Sequence, residues 1–265
     1  MNREALLLID ASCMAYLIEG KLHEYQQHDN PDCRLAMIRW IDRRLFLASS
    51  FGVRPLWLID SKPYWRSRYE PEYKATRHTS KRLDVSACLN AIAADCHTLG
   101  MAEFEADDLA GAIAGLGCEA YLLSTDTDWS GLVSDCVTVL SPCHEPHIRQ
   151  PIHVWSWLKK KHDQLPKYKQ GRWQLPRYQE FEPRDVFRFK CIFGDASDNL
   201  PEGCHPGLID LIEPIEKPND DIIKDALRVA MREPVVGFDL ELANQFSRTL
   251  PVLPFNPISV GVEMI

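Results

Sequence analysis

The chain has 265 residues, 45% of them hydrophobic and 26% charged, a globular composition that excludes a disordered polymer and fits one large domain or a domain with an appendage. No apolar run approaches the ~18 residues of a membrane span, and the stretch Ala5–Ile9 is too short and too soon interrupted by Asp10 to be a signal peptide. The 30 Lys+Arg against 38 Asp+Glu leave a net charge of −8, which argues against a nucleic-acid partner unless the acids are gathered in one place.

In chain order, short apolar runs alternate with helical patterns. The runs are Ala5–Ile9, Leu56–Ile59, Met101–Phe104 and Ala120–Leu123. Between the first two, Leu35, Ile38, Ile41, Leu45 and Ala48 recur at three- and four-residue spacing, as one face of a helix requires. Val85–Leu99 and Ala106–Leu116 read as further helices. Unbroken apolar strands alternating with helices predict an α/β fold with a mostly parallel sheet covered on both faces. Beyond residue 141 the pattern changes. Residues 151–178 mix Trp155, Trp157, Trp173, Tyr168 and Tyr178 with many bases, Asp185–Phe193 reads as a helix, and Asp220–Arg232 and Leu240–Arg248 make the last part mainly helical. The domain boundary is placed at 187, giving parts 1–187 and 188–265. The 9 Cys include no C-x-x-C pair and read as reduced, buried thiols.

Acids follow every apolar run: Asp10, Asp60, then Glu105, Asp107 and Asp108, then Asp126 and Asp128. Strands of a parallel sheet present their carboxyl ends at one edge, so the strand reading gathers these acids from four segments. Capping of the following helices explains any one of them, but four coincident cases favour a metal site. A further segment, Gly194-Asp195-Ala196-Ser197-Asp198-Asn199, is an Asx-rich turn in isolation and adds Asp195 and Asp198 if it folds to the same edge. The nine acids carry −9 between them, more than the whole net charge of −8. Such a set suits hard divalent cations such as Mg²⁺ or Mn²⁺, and two of them would clamp the attacking and leaving oxygens of a phosphodiester. No G-x-S-x-G, Walker A or H-E-x-x-H pattern offers another chemistry.

Asp10 after LLLI, WLID-SKPYWRSRYEPEYKATR, FEADD, LLSTDTDWSGLV and GDASDN, in that order, resemble the motif series of the 5′-nuclease superfamily, which holds flap endonucleases, the 5′–3′ exonuclease domains of bacterial DNA polymerase I and phage 5′-exonucleases of the RNase H type. The match runs over residues 5–200, and the short arch region is most similar to phage or stand-alone bacterial members. The resemblance implies a PIN-like core and one metal group from Asp10, Asp60, Glu105, Asp107 and Asp108. It implies a second from Asp126, Asp128, Asp195 and Asp198. It makes Lys74 and Arg77 the residues that meet the scissile phosphate, with Tyr73 stacking on the terminal base, and residues 62–85 the arch or clamp, with Lys62, Arg66, Arg68, Lys81 and Arg82 along the DNA. It further implies two Mg²⁺ ions (Mn²⁺ substituting), DNA with 5′ flaps, nicks or free 5′ ends or an RNA–DNA hybrid as substrate, a monomer with no membrane contact, and a cytoplasmic place in a bacterium or phage-infected cell.

The chain departs from the family where a Gly-rich, Lys-containing helix–hairpin–helix grips duplex phosphates and a K⁺ ion. It keeps Pro201, Gly203 and Gly207 but lacks the second Gly-x-Gly and the Lys, a degenerate hairpin in which only backbone amides and helix N-termini remain to hold phosphate. A second basic segment, Lys159–Arg177, has Lys167, Lys169 and Arg172 interleaved with Tyr168 and Trp173, the composition of a single-strand groove. Cys136, Cys143, His144, His147 and His153 fit no common zinc spacing. Trp40, Trp57 and Trp65 read as core or arch packing. Two other readings stand beside the nuclease: a PIN-type ribonuclease, disfavoured by the extra acids of GDASDN and the long 62–85 segment, and a non-catalytic branched-DNA-binding protein.

Overall fold

The computed structural model describes residues 6–48, 55–61, 71–72, 74–75, 84–102, 104–114, 119–142, 148–183, 185–195 and 202. A sheet of six strands runs through it in the order β3-β2-β1-β4-β5-β6. The strands are β1 (Leu6–Asp10), β2 (Pro55–Ile59), β3 (Thr98–Gly100), β4 (Ala120–Leu123), β5 (Val137–Leu140) and β6 (Ile148–Arg149). β1 to β5 pair in parallel, and only β6 is antiparallel, with Leu140 opposite Ile148. The helices are α1 (Ala11–Glu24), α2 (Pro31–Ala48), α3 (Val85–Asp95), α4 (Ala106–Ala114), α5 (Pro151–Asp163), α6 (Lys167–Gln170) and α7 (Asp185–Phe193), with a 3-10 turn at Asp128–Leu132.

Alternation along the strands builds two cores. Leu7, Ile9 and Trp57 face α1, α2 and α3, where Met14, Ile18, Ile38, Ile41 and Ile92 are buried. Leu8, Leu58 and Leu122 face the other way, against Leu109 and Ile113 of α4, Trp129, Val154 of α5 and Val186 of α7. Helices therefore cover both faces, which is why β1 reads as a continuous apolar run. The two layers are locked from within: Glu19 of α1 is wholly buried against Arg34 of α2, and Trp57 Nε1 donates to Asp42 Oδ1 at 2.9 Å.

Several expectations need correction. β3 lies at Thr98–Gly100, not 101–104, because α3 stops at Asp95 and Leu99 is the residue that enters the core, opposite Leu58. Met101 and Phe104 instead close a turn, Phe104 N–H donating to Met101 O at 3.2 Å and Ser61 N–H to Phe104 O at 2.9 Å. β5, whose Val137, Val139 and Leu140 are buried, stands where the sequence reading assigned no strand. Trp40 is exposed, since Ile38, Ile41 and Leu45 set the inner face of α2 and leave it outside, whereas Trp57 is fully buried. Among the described side chains, Cys13, Cys33, Cys88, Cys96 and Cys136 carry free thiols. His153 caps α5, accepting the Gln150 N–H at 3.2 Å. Residue 187 falls inside α7, and almost all of part 188–265, with the degenerate hairpin, lies outside the described residues, as does Trp65. Among the described residues no helix is long and apolar enough to cross a membrane.

Candidate active site

The strand order reverses between β1 and β4: the chain first builds outward through β2 and β3, then returns to β1's other side for β4, β5 and β6. In open α/β sheets the crevice at such a reversal, beyond the carboxyl ends of the strands, is where ligands bind. Asp10 stands there at the end of β1. It caps α1, Oδ1 accepting the Cys13 N–H at 2.9 Å, while Oδ2 accepts from the Ser124 hydroxyl at 2.7 Å. Ser124, just past β4, in turn accepts the Asp126 N–H at 3.0 Å. Beside it, Cys13 Sγ lies 3.1 Å from Thr125 Oγ1 and accepts the Thr125 N–H at 3.2 Å. Beyond β2, Asp60 takes the Ser12 hydroxyl on Oδ2 at 2.5 Å and the Ala106 N–H on Oδ1 at 2.8 Å. The first turn of α1 thus joins the ends of β2 and β4 to the start of α4. Capping and clustering, posed as alternatives by the sequence, coexist in the same carboxylates.

Charge is concentrated at this edge. Burial above all, then the charge of Asp60 and, further down, that of Asp126, push the Asp10 carboxyl up to about 7, against the lowering pull of the Cys13 N–H and the Ser124 hydroxyl. At the start of α4, Asp108 Oδ2 accepts the Glu105 N–H and Asp107 Oδ1 the Asp108 N–H, each at 2.8 Å. Glu105 meets Lys74 Nζ at 2.6 Å, with both side chains mostly covered. Lys74 has φ of 54°, a left-handed backbone that a non-glycine residue rarely adopts. On the other flank Lys190 of α7 reaches between Asp128 and Asp195, 2.6 Å from the latter. Burial alone would lower the Lys190 pKa, but the two carboxylates outweigh it and hold the ammonium above its ordinary range. Arg149 of β6 donates to Ser130 Oγ at 3.1 Å; burial lowers its pKa, and the Asp126 charge works against that.

Of the nine predicted ligands, eight are described. Asp60 and Asp126 both act electrostatically on Asp10, so the two groups are in reach of each other there, whereas Asp128 and Asp195 close around an internal cation. Asp198 lies outside the described residues, with Arg77, Tyr73, Lys62, Arg66, Arg68, Lys81 and Arg82. Lys169 and Arg172 both pair with Glu202, Arg172 at 3.3 Å, while Lys167 is exposed beside Tyr168. Lys190, Arg149 and Ser124 were missed by the sequence reading. For Lys190 there was a signal, a single lysine inside the otherwise apolar run of Val186, Phe187, Phe189 and Phe193.

Among the described residues no three His, Cys, Asp or Glu side chains converge into a ready-made metal cage. The donors nonetheless fit a hard divalent cation: all are oxygens, and a carboxyl pushed to about 7 by burial, and further by the charges of Asp60 and Asp126, marks a place short of positive charge. Mg²⁺ in particular keeps several waters and needs only one or two carboxylates rather than a cage.

No family model matches the chain, and no curated protein matches it. Solved structures do. The bacteriophage T5 flap endonuclease, in a pseudo-enzyme–product complex with DNA and metal ions, aligns over 97% of this chain and 89% of its own at 18% identity and a TM-score of 0.52. The T5 protein co-crystallised with metal ions aligns over the same shares at 18% identity and 0.50. T5 5′-exonuclease with bound zinc ions aligns over 92% of this chain and 84% of its own at 15% identity and 0.50. With its mostly parallel six-stranded sheet covered on both faces, this chain has the fold of the 5′-nuclease superfamily.

Proposed function

We propose that the chain is a divalent-metal-dependent, structure-specific nuclease that hydrolyses DNA phosphodiesters as a 5′–3′ exonuclease and 5′-flap endonuclease, with RNA-primer removal in reach of the same site. The observation that carries this is Asp10 at the strand-order reversal with Asp60 and Asp126 near enough to act on it: burial first, then the charges of Asp60 and Asp126, raise its carboxyl to about 7. Asp10, Asp60, Glu105, Asp107 and Asp108 would hold one Mg²⁺, and Asp126, Asp128, Asp195 and Asp198 the other, with Mn²⁺ able to substitute. Bound there, the ions supply charge stabilisation for the attacking and leaving oxygens and a water of lowered pKa.

The chain's own residues do the rest. Ser12, Ser124 and the N–H groups of Cys13 and Ala106 fix the carboxylate orientations. Lys74, next to Glu105, meets the scissile phosphate together with Arg77, and Tyr73 stacks on the terminal base, while residues 62–85 guide the 5′ end. Lys167, exposed next to the open ring of Tyr168, would hold a backbone phosphate, with Lys169 and Arg172 beside it. The fold shared with a flap endonuclease captured with DNA and metal ions supports the reading. The enzyme works as a monomer in DNA replication and repair.

A panel of labelled oligonucleotides with Mg²⁺ tests it. Cleavage of a 5′-flap DNA near its junction, lost on adding chelator, is the expected result. Cutting of single-stranded RNA alone identifies a PIN-type ribonuclease instead, and tight flap binding without turnover identifies a branched-DNA-binding protein; either outcome overturns the proposal.

A further inference from the structure

The reversal point between β1 and β4 is crossed by a side chain that holds more than the one carboxylate it orients. Ser124 is fully buried, donates its hydroxyl hydrogen to Asp10 Oδ2 at 2.7 Å, and accepts the Asp126 N–H at 3.0 Å. With Asp10 ionised the direction of this link is fixed, because both the Asp10 carboxylate and the Asp126 N–H leave it no choice: the first only accepts and the second only donates. Its backbone is held as well: the Ser124 N–H donates to Leu140 O at 3.0 Å, and the next residue is stitched to Cys13 of α1. Asp10 and Asp126 belong to different carboxylate groups, and the Ser124 hydroxyl joins the two. Without it, Asp10 Oδ2 loses the bond that sets its carboxylate plane, and the Asp126 N–H loses its acceptor at the turn that aims the Asp126 side chain.

We infer that Ser124 is a positioning residue that couples the two carboxylate groups, so that the orientation of each depends on the other and both cation sites are set together. The inference rests on the metal-dependent reading above. It has a signature that a ligand does not share. Substituting a ligand weakens the ion it holds, whereas substituting Ser124 weakens both. Partners that orient metal ligands through hydrogen bonds typically matter by about 10–100-fold in affinity.

The test is calorimetric titration of Mn²⁺ into the full chain without DNA, comparing wild type, Ser124→Ala and Asp126→Asn. Ser124→Thr and Ser124→Val form a near-isosteric pair that differs only in the hydroxyl, and metal-free melting of that pair separates folding from coupling. Wild type is expected to bind two ions. Ser124→Ala and Ser124→Val should lose about 10–100-fold in affinity for both, Ser124→Thr should keep both, and Asp126→Asn should weaken one. Flap cleavage by Ser124→Ala should recover as Mn²⁺ is raised to saturation, while Asp126→Asn should not. Ser124→Val binding both ions as tightly as Ser124→Thr, or losing only one, overturns the coupling and leaves the nuclease reading intact. A wild-type protein that binds no Mn²⁺ overturns the nuclease reading and the coupling with it.

Discussion

Replacing Asp10 by Asn changes how the metal-free protein responds to pH. The folded protein holds the Asp10 proton to about 7, whereas the unfolded chain releases it near its ordinary value of 3.8. Folding therefore takes up a proton between those values, and stability falls as pH rises through the window, the loss being absent below it and complete above about pH 7. Three units at ~1.4 kcal/mol each put the full loss near 4 kcal/mol, of which roughly two thirds falls between pH 5 and pH 8. Asn keeps an acceptor for the Cys13 N–H and presents its amide to the Ser124 oxygen, so it removes the charge with little change of shape. Chemical unfolding without divalent ions, at pH 5 and pH 8, reads the difference. Wild type should lose about 3 kcal/mol more than Asp10→Asn over that span, and the variant should be the more stable protein at pH 8. Adding Mn²⁺ at pH 8 should restore wild type, and at pH 6, where Asp10 still holds its proton, binding should release it, with little of either effect in Asp10→Asn. Equal pH slopes in the two proteins would refute the placement of Asp10 among uncompensated carboxylates.

Other outcomes follow from the neighbouring contacts. Lys190→Met leaves Asp128 and Asp195 facing each other without their cation, so metal-free stability should fall by about 3 kcal/mol, roughly 6–12 °C in melting temperature, and excess Mn²⁺ should recover part of it; an unchanged melt contradicts the pairing. At Gly131 an added Cβ would run into the ring of Phe187, which is itself buried and carried by the helix that brings Lys190 to the site. Gly131→Ala should therefore cost about 1–3 kcal/mol in urea unfolding, and a neutral result shows that the ring can yield. Lys167→Ala should raise KM for flap DNA and reduce the slope of log affinity against log salt by about 1. The same substitution at Lys169 or Arg172 should do less, because Glu202 already offsets their charge; equal effects at all three positions contradict that ranking.

The architecture was legible in the sequence because β1, β2 and β4 are buried on both faces and so appear as unbroken apolar runs, each followed by acid. β3 escaped because a three-residue strand with one buried side chain, Leu99, leaves no periodicity, and the more apolar Met101–Phe104 beside it is a turn. β5, Val137-Thr138-Val139-Leu140, is as long as β4, but Thr138 interrupts its apolar run and Ser141-Pro142 rather than an acid follows it, so it did not share the pattern of the others. The acids of the site announced themselves by position, since an Asp after a strand is visible in one dimension. What joins them did not. Ser124 bonds to Asp10 across 114 residues, and Lys190 reaches Asp128 across 62; serine is common after strands, and lysine on a helix is ordinarily a solvated charge. The same holds for Glu202, which pairs with Lys169 and Arg172 in a segment that composition alone assigns to DNA.

The most direct measurement is single-turnover cleavage of a 5′-labelled flap DNA by wild type and Asp126→Asn as Mg²⁺ is titrated. The account predicts cutting close to the junction that rises with Mg²⁺ in wild type, and an Asp126→Asn protein that folds and binds the flap but does not cut it at any Mg²⁺ concentration. Cleavage independent of divalent ions, or an Asp126→Asn protein as active as wild type, would contradict it.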